Sequence, residues 1–259
     1  METTGVKYKY SVVTYIFGDY ELVHEIECEI ENDVEYILVT DNPNLKSDTW
    51  TVIVDKDLDG KTLFDKVFSV RYNLFKYCHS DICFRIDGSI GIMKSLTPIV
   101  EDFIESGCDV GLSCHIYRDN IVEEYQAWYA ARNYPMENIK RHITFYDTIG
   151  FDYNRKGLIQ MNFAINKKSK ITDDIDRMMY AIMHYLGEGE IDRLDQTVFS
   201  VVMDRFFPNV DCYLMSEHLL HSDYLAWYFH GKNERIPLFD NLIITPYFRN
   251  EPAEIRPLA

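Results

Sequence analysis

Tyr10-Ser11-Val12-Val13-Thr14-Tyr15-Ile16-Phe17 is an almost unbroken run of β-branched and aromatic residues, closed by Gly18-Asp19. A run of this length without polar alternation reads as a strand buried on both faces, as in the middle of a parallel sheet. Leu22, Val23, Ile26 and Ile30 follow at helical spacing. Tyr36-Ile37-Leu38-Val39-Thr40 then reads as a second strand, ended by the turn signal Asp41-Asn42-Pro43-Asn44. Together these segments predict a β-α-β unit.

The alternation continues outward from that unit. A short strand is predicted at 50–54, a helix around 65–77, a strand at 82–86, a helix around 96–105 and a strand at 110–114. The second half is less regular: a helix at 121–132 leading to Pro135, a strand at 158–165, a helix at 173–186, the break Gly187-Glu188-Gly189, and a helix at 195–206. The fold expected is α/β, with a mostly parallel central sheet flanked by helices on both faces. No tract rich in Pro, Gly or Ser separates the halves and no repeat is present, so one continuous domain over 1–259 is expected.

Composition limits what such a domain can bind. The 259 residues carry 42 acidic and 26 basic side chains, a formal net charge of −16, and nineteen Tyr with fifteen Phe supply apolar area for a core. So negative a field repels phosphate backbones, which argues against nucleic acid as a partner, and any anionic ligand must be caught by a few placed cations. The six cysteines include no C-x-x-C pair and read as reduced thiols. No apolar run approaches the roughly 20 residues that span a bilayer, and the amino terminus lacks a secretory pattern. A cytoplasmic protein is expected, with peripheral attachment to the inner membrane left open.

Familiar motifs are missing. The sequence has no Walker loop, no G-x-G-x-x-G after the first strand and no H-E-x-x-H, and Gly88-Ser89-Ile90-Gly91 is one residue short of a G-x-S-x-G elbow. In an open α/β sheet, ligands sit beyond the carboxyl ends of the strands, which directs attention to Thr14 to Asp19, Asp41, Asp87 to Ser89, and His115 to Arg118. Asp87 follows Cys83-Phe84-Arg85-Ile86 and is placed either to hold a divalent ion against a diphosphate or simply to form an Asp-Gly turn. Asp41 is an exposed carboxylate able to accept a uracil N3–H, or an ordinary turn residue. Arg71 stands in the helix preceding the Asp87 strand, where a chain this acidic would need a guanidinium for an anionic ligand. Asp195-Gln196-Thr197 opens a helix and reads either as capping or as a pair projecting into a cleft. His230-Gly231-Lys232, after the aromatic run Trp227-Tyr228-Phe229, could contact a metal and a phosphate together or merely close a core cluster with a turn.

In this order the pieces resemble GT-A-fold glycosyltransferases: family-eight type enzymes, and the glycosyltransferase-like family of bacterial polysaccharide loci and plant cell-wall proteins. Thr14-Tyr15-Ile16-Phe17-Gly18-Asp19-Tyr20 and Ile86-Asp87-Gly88 are most similar to the latter. The resemblance spans about residues 9–235. It implies a nucleotide-binding half over about 9–115, an acceptor half over about 116–235 and a tail at 236–259.

It implies further that Thr14, Tyr15 and Phe17 line the nucleoside pocket, that Asp41 reads the base and that Arg71 approaches the donor diphosphate or base. Asp87 matches the first acid of a D-x-D motif, and His230 and Lys232 match a late His and Lys that close over metal and diphosphate. Asp195 and Gln196 match an Asp-Gln pair beside the anomeric carbon and the acceptor hydroxyl. Ser89 departs from the pattern where a second carboxylate belongs. This puts Mn²⁺ or Mg²⁺ in question and shifts the diphosphate charge onto Arg71, Lys232 and Arg235. The expected activity is transfer of a sugar from a nucleotide donor, a UDP-sugar, to a saccharide or lipid-linked saccharide. A sugar nucleotidyltransferase or a non-catalytic binding module are the alternatives.

Overall fold

The computed structural model describes residues 8–18, 20–132, 134–187, 194–236 and 255–257. The main elements, in chain order, are β1 (Tyr10–Ile16), β2 (Val34–Thr40), β3 (Thr51–Val54), α1 (Leu63–Arg71), β4 (Ile82–Ile86), β5 (Ile90–Ile92), α2 (Thr97–Ser106), β6 (Val110–Cys114), α3 (Ile121–Arg132), α4 (Met136–Thr148), β7 (Ile159–Lys167), α5 (Lys170–Leu186), α6 (Asp195–Phe206), β8 (Asp211–Met215), β9 (Leu225–Trp227) and β10 (Ile255–Pro257). Eight strands form one sheet in the order β10-β8-β6-β7-β4-β1-β2-β3, and β5 pairs with β9 in a small second sheet. Within the main sheet β7 and β10 run against their neighbours and the other strands are parallel to one another. This is the mostly parallel α/β sheet expected from the sequence, and its strands come from both halves of the chain.

All seven residues of β1 are buried, as its unbroken apolar run requires. One face, carrying Val13, Tyr15 and Phe17, packs under α1 through Val70, beside a larger cluster built by α3 to α6 on β6 and β7. The opposite face, carrying Tyr10, Val12 and Ile16, is covered by α2 and the β5/β9 pair. Gly107 ends α2 in the left-handed conformation at φ 73°, and Ser169 with Thr172 forms a capping box at the start of α5.

One expected element is not there. Residues 22–30 form no helix, so β1 passes to β2 by an irregular crossover. Ile26 donates its N–H to Thr49 Oγ1 at 3.0 Å, Glu27 to the Ile92 carbonyl at 2.9 Å, and the Glu25 carboxylate collects Ser47 Oγ and the Asp48 and Thr49 amides. These long-range partners satisfy the groups a helix would have used, so the tertiary contacts override the local 3.6-residue spacing. The helix read at 65–77 is also divided, with α1 ending at Arg71 and a separate 3₁₀ turn at Leu74–Lys76. No helix among the described residues is long and apolar enough to cross a membrane.

Gly88, just beyond β4, is required by close approach. A Cβ there would lie 2.7 Å from the Tyr15 carbonyl oxygen and 3.1 Å from Ile16 Cγ1. Both neighbours belong to the central strand and cannot move aside. Gly88→Ala is expected to lower stability by about 1–3 kcal/mol, read as a reduced urea midpoint with an unchanged slope. A midpoint equal to that of the wild type would show that the turn has slack.

Candidate functional site

The parallel register sets Tyr10 beside Val34 and Ile16 beside Thr40 across β1 and β2, and Val13 beside Arg85 across β1 and β4. The carboxyl ends of the three strands therefore lie together. Side chains alternate across a strand, so Tyr15 and Asp87 project on the face that Val13 and Arg85 share, toward α1. Arg71, the last residue of α1, meets them there.

Arg71 is the hub of the site. It is buried, and its Nε and Nη2 donate to the Tyr15 hydroxyl at 3.0 and 2.8 Å. Nη2 also donates to Asp87 Oδ1 at 2.7 Å, and Nη1 donates to Asp195 Oδ2. The Tyr15 hydroxyl in turn donates to Asp87 Oδ1 at 2.5 Å, so its proton and its lone pairs are all committed. Arg85 lies below, donating to the Met161 carbonyl at 2.8 Å with Nη1 3.6 Å from Asp87 Oδ1. Asp87 Oδ2 has no hydrogen bond among the described residues, and the side chain is 24% exposed. That oxygen is the part of the cluster available to a ligand.

Burial dominates the electrostatics. It pushes the Tyr15 phenol up to about 12 against the pull of Arg71, so Tyr15 is a neutral donor at any physiological pH. It likewise pushes Asp195 up to about 6, again against Arg71 and with Asp87 adding repulsion. Burial also works against the Arg71 charge, but Tyr15, Asp87 and Asp195 outweigh it and hold the guanidinium protonated. Asp195 occupies the first position of α6, where the helix dipole favours an anion. Its carboxylate binds Arg71 and makes no cap: the N-cap is Leu194, without a side-chain hydrogen bond.

Gln196 projects to the neighbouring element. Its Nε2 donates to Glu124 Oε1 at 2.8 Å and its Oε1 accepts from the Met161 amide at 3.4 Å, which fixes the orientation of the carboxamide. Glu124, in the first turn of α3, is buried and also receives Trp128 Nε1 at 2.8 Å and an ion pair from Arg118. Arg118 further contacts His115 Nε2 at 2.6 Å, and burial followed by the Arg118 charge lowers His115 to about 3, leaving it neutral. The end of β6 and the start of α3 thus belong to the same neighbourhood as Asp195 and Gln196.

The remaining expected residues divide. His230 Nδ1 bonds Glu21 Oε2 at 2.8 Å and the Gly231 amide donates to Glu21 Oε1 at 2.9 Å, so a buried carboxylate ties the late His-Gly-Lys segment to the loop after β1. Lys232 has no ion pair among the described residues and its Nζ lies 5.9 Å from the Phe229 ring. Arg235 is bound to Glu27 at 3.0 Å and to the Tyr228 hydroxyl at 3.2 Å. Asp41 accepts from the Gly18 amide at 2.9 Å and from Lys66 Nζ at 2.6 Å. Ser89 is buried, and its carbonyl accepts the Tyr228 amide at 2.9 Å.

Thr14 does not join Tyr15 and Phe17. Neighbours in a strand face opposite ways, so Thr14 shares the face of Val12 and Ile16, and its buried Oγ1 has no hydrogen bond among the described residues. Phe17 is 3% exposed and stacks on Tyr15 with centroids 6.2 Å apart, a core position beneath the strand ends. Asp19, Glu188, Gly189, Asp192 and Arg193 lie outside the described residues, as does the tail apart from 236 and 255–257.

Sequence reasoning missed Lys66, Glu21 and Arg85. An arginine inside the apolar strand Cys83-Phe84-Arg85-Ile86 was a signal, because a buried guanidinium demands acceptors or an acid nearby. Lys66 and Glu21 gave none, since their partners lie 25 and 209 residues away.

No family model matches the chain, and no curated protein matches it in sequence. Among solved structures it is similar to the galactosyltransferase LgtC in complex with donor and acceptor sugar analogues, with 12% identity and a TM-score of 0.42 over 74% of this chain and 70% of that one. It is also similar to mouse xyloside xylosyltransferase 1 in its apo form, with 10% identity and a TM-score of 0.46 over 80% of this chain and 84% of that one. At these identities the likeness is one of fold alone.

Proposed function

We propose that this protein is a glycosyltransferase that takes a nucleotide-sugar donor, a UDP-sugar, and delivers the sugar to a hydroxyl of a saccharide or lipid-linked saccharide. The observation that supports this reading is the convergence of Tyr15, Arg71, Asp87 and Asp195 beyond the carboxyl ends of parallel β1 and β4, with Asp41 at the end of β2 alongside. Open α/β sheets bind ligands at that end. In this reading Asp41 meets the base and the free oxygen of Asp87 faces the donor. Asp195 and Gln196 stand at the anomeric carbon and the acceptor.

The residues around Asp87 do not fit a Mn²⁺ or Mg²⁺ ion well. Such ions want several oxygen ligands. Here one oxygen of Asp87 is already shared by Tyr15 and a guanidinium, and the buried Ser89 stands where a second carboxylate would be needed. Among the described residues no three His, Cys, Asp or Glu side chains cluster as a metal site. The chemistry is therefore derived from the chain's own groups. Departure of the nucleoside diphosphate from the anomeric carbon builds negative charge on the leaving group, which fixed cations can stabilise. Arg71 is divided between two carboxylates and Arg235 is paired with Glu27, so Lys232, which has no ion pair among the described residues, is assigned that task. Gln196, oriented by Glu124 and Met161, holds the sugar in place and Asp195 orients the acceptor hydroxyl.

The test is a panel of nucleotide-sugars, with and without Mn²⁺, assayed for thermal stabilisation and for release of nucleoside diphosphate in the presence of mixed saccharide acceptors. Stabilisation by a UDP-sugar with release of UDP is expected. Stabilisation without turnover on any acceptor would leave a binding module, and pyrophosphate release from a nucleoside triphosphate and a sugar phosphate would make it a nucleotidyltransferase.

A further inference from the structure

Asp41 closes β2 beside Gly18, which follows β1, and the pair is bridged by the Gly18 amide at 2.9 Å. Lys66 reaches across from the first turns of α1 and donates to the other carboxylate oxygen at 2.6 Å. Both side chains are 15% exposed, which makes this a lodged pair rather than a solvated one. Gly18 has φ 58°, and a Cβ built on it would meet no heavy atom of the described residues within 4 Å apart from its chain neighbours. Partial burial works against the Asp41 charge, but the Lys66 and Gly18 hydrogen bonds outweigh it and hold the carboxyl below its ordinary range. The strand ends thus present a fixed acceptor and a fixed donor next to each other.

Resting on the reading of these strand ends as a nucleotide site, the geometry points to Lys66 as a specificity-determining residue that, with Asp41, reads the hydrogen-bonding edge of the base. Asp41 accepts a ring N–H and Lys66 donates to the flanking carbonyl. Uracil offers that order with N3–H and O4, and guanine offers it with N1–H and O6. Cytosine and adenine offer the reverse, a bare ring nitrogen beside an exocyclic amine. Against this pair, both of their contacts set lone pair against carboxylate and N–H against ammonium. A carboxylate has about four acceptor sites and an ammonium three donors, so the contacts already made leave capacity for the base.

The test uses the full chain and the free nucleoside diphosphates UDP, GDP, CDP and ADP, titrated calorimetrically into wild type, Lys66→Met and Lys66→Gln. The wild type is expected to bind UDP, GDP or both at least about tenfold more tightly than CDP and ADP. Lys66→Met should bring all four within about threefold of one another, and Lys66→Gln, which keeps a neutral donor, should retain part of the preference. CDP or ADP binding as tightly as the better of UDP and GDP would overturn the assignment while leaving the nucleotide site standing. A full preference persisting in Lys66→Met would reduce the pair to a structural tie between α1 and β2. If no nucleoside diphosphate binds, the nucleotide reading fails and this assignment with it. Should Lys66→Met fail to fold, the wild-type panel and Lys66→Gln decide the matter.

Discussion

Replacing Arg71 with methionine is expected to lower stability by about 3–5 kcal/mol at pH 7.5, because it strands two carboxylates around a buried gap. Among the described residues Arg71 is the single side chain that hydrogen-bonds Tyr15, Asp87 and Asp195 together, and methionine keeps much of its bulk while removing every donor. The loss is expected to depend on pH in a definite direction. Asp195 is already raised to about 6 with the guanidinium beside it, so the folded chain holds its proton more tightly than the unfolded chain does. Between the ordinary carboxylate range and pH 6 the folded state binds more protons, and stability contributed by this group falls as pH rises through that window. Removing Arg71 moves the Asp195 pKa further up and widens the window toward neutrality. The deficit of Arg71→Met relative to wild type should therefore shrink by about 1 kcal/mol or more between pH 7.5 and pH 5.5, measured from urea midpoints at both values. A deficit identical at the two pH values would mean that the acids are not what the guanidinium stabilises.

Asp87→Asn is expected to have the largest effect on turnover with the smallest effect on the fold. An alanine there would leave the Tyr15 hydroxyl without its acceptor, so loss of activity could not be separated from loss of structure. Asparagine keeps a carbonyl oxygen for Tyr15 and Arg71, while the free oxygen and the charge give way to an NH2 donor. In the proposed reaction the free oxygen of Asp87 accepts a hydroxyl of the donor sugar and so positions it for transfer, and a drop in kcat on the order of 100-fold is expected, with a melting temperature within a few degrees of wild type. Product release at the wild-type rate would remove Asp87 from the donor site and weaken the whole assignment of the strand ends.

The strands were readable where the chain is apolar and β-branched, as in β1, β2 and β4, because burial on both faces leaves an unmistakable composition. The helix read at 22–30 misled because spacing reports only which residues share a face. It carries no information about the Thr49 hydroxyl and the Ile92 carbonyl that capture the backbone instead. In α4, Ile139, His142 and Tyr146 bury one face at helical spacing, but Pro135 masked its start. β8 is a five-residue run of mixed polarity, Asp211-Cys212-Tyr213-Leu214-Met215, and offered little to read.

Within the site, Asp87 was singled out at a strand end, Asp195 at a helix start and Arg71 as a needed cation on the helix before the Asp87 strand, and the structure brings all three into one network. The role of Tyr15 as the hydroxyl joining Arg71 to Asp87 was not legible, nor was the Gln196 contact with Glu124 across 72 residues, since each depends on register between distant segments. Thr14 could have been separated from Tyr15 by the two-residue strand period alone.

The most direct measurement of the central claim is amide hydrogen exchange with and without saturating UDP. Slowed exchange is predicted at residues 16–18, 40–42 and 87–89, the carboxyl ends of β1, β2 and β4, where Tyr15 bonds Asp87 and Asp41 bonds Gly18. Protection confined to residues 28–33 and 94–98, the groove lined by Glu29, Glu31, Lys94 and Tyr224, or no protection at all, would contradict it.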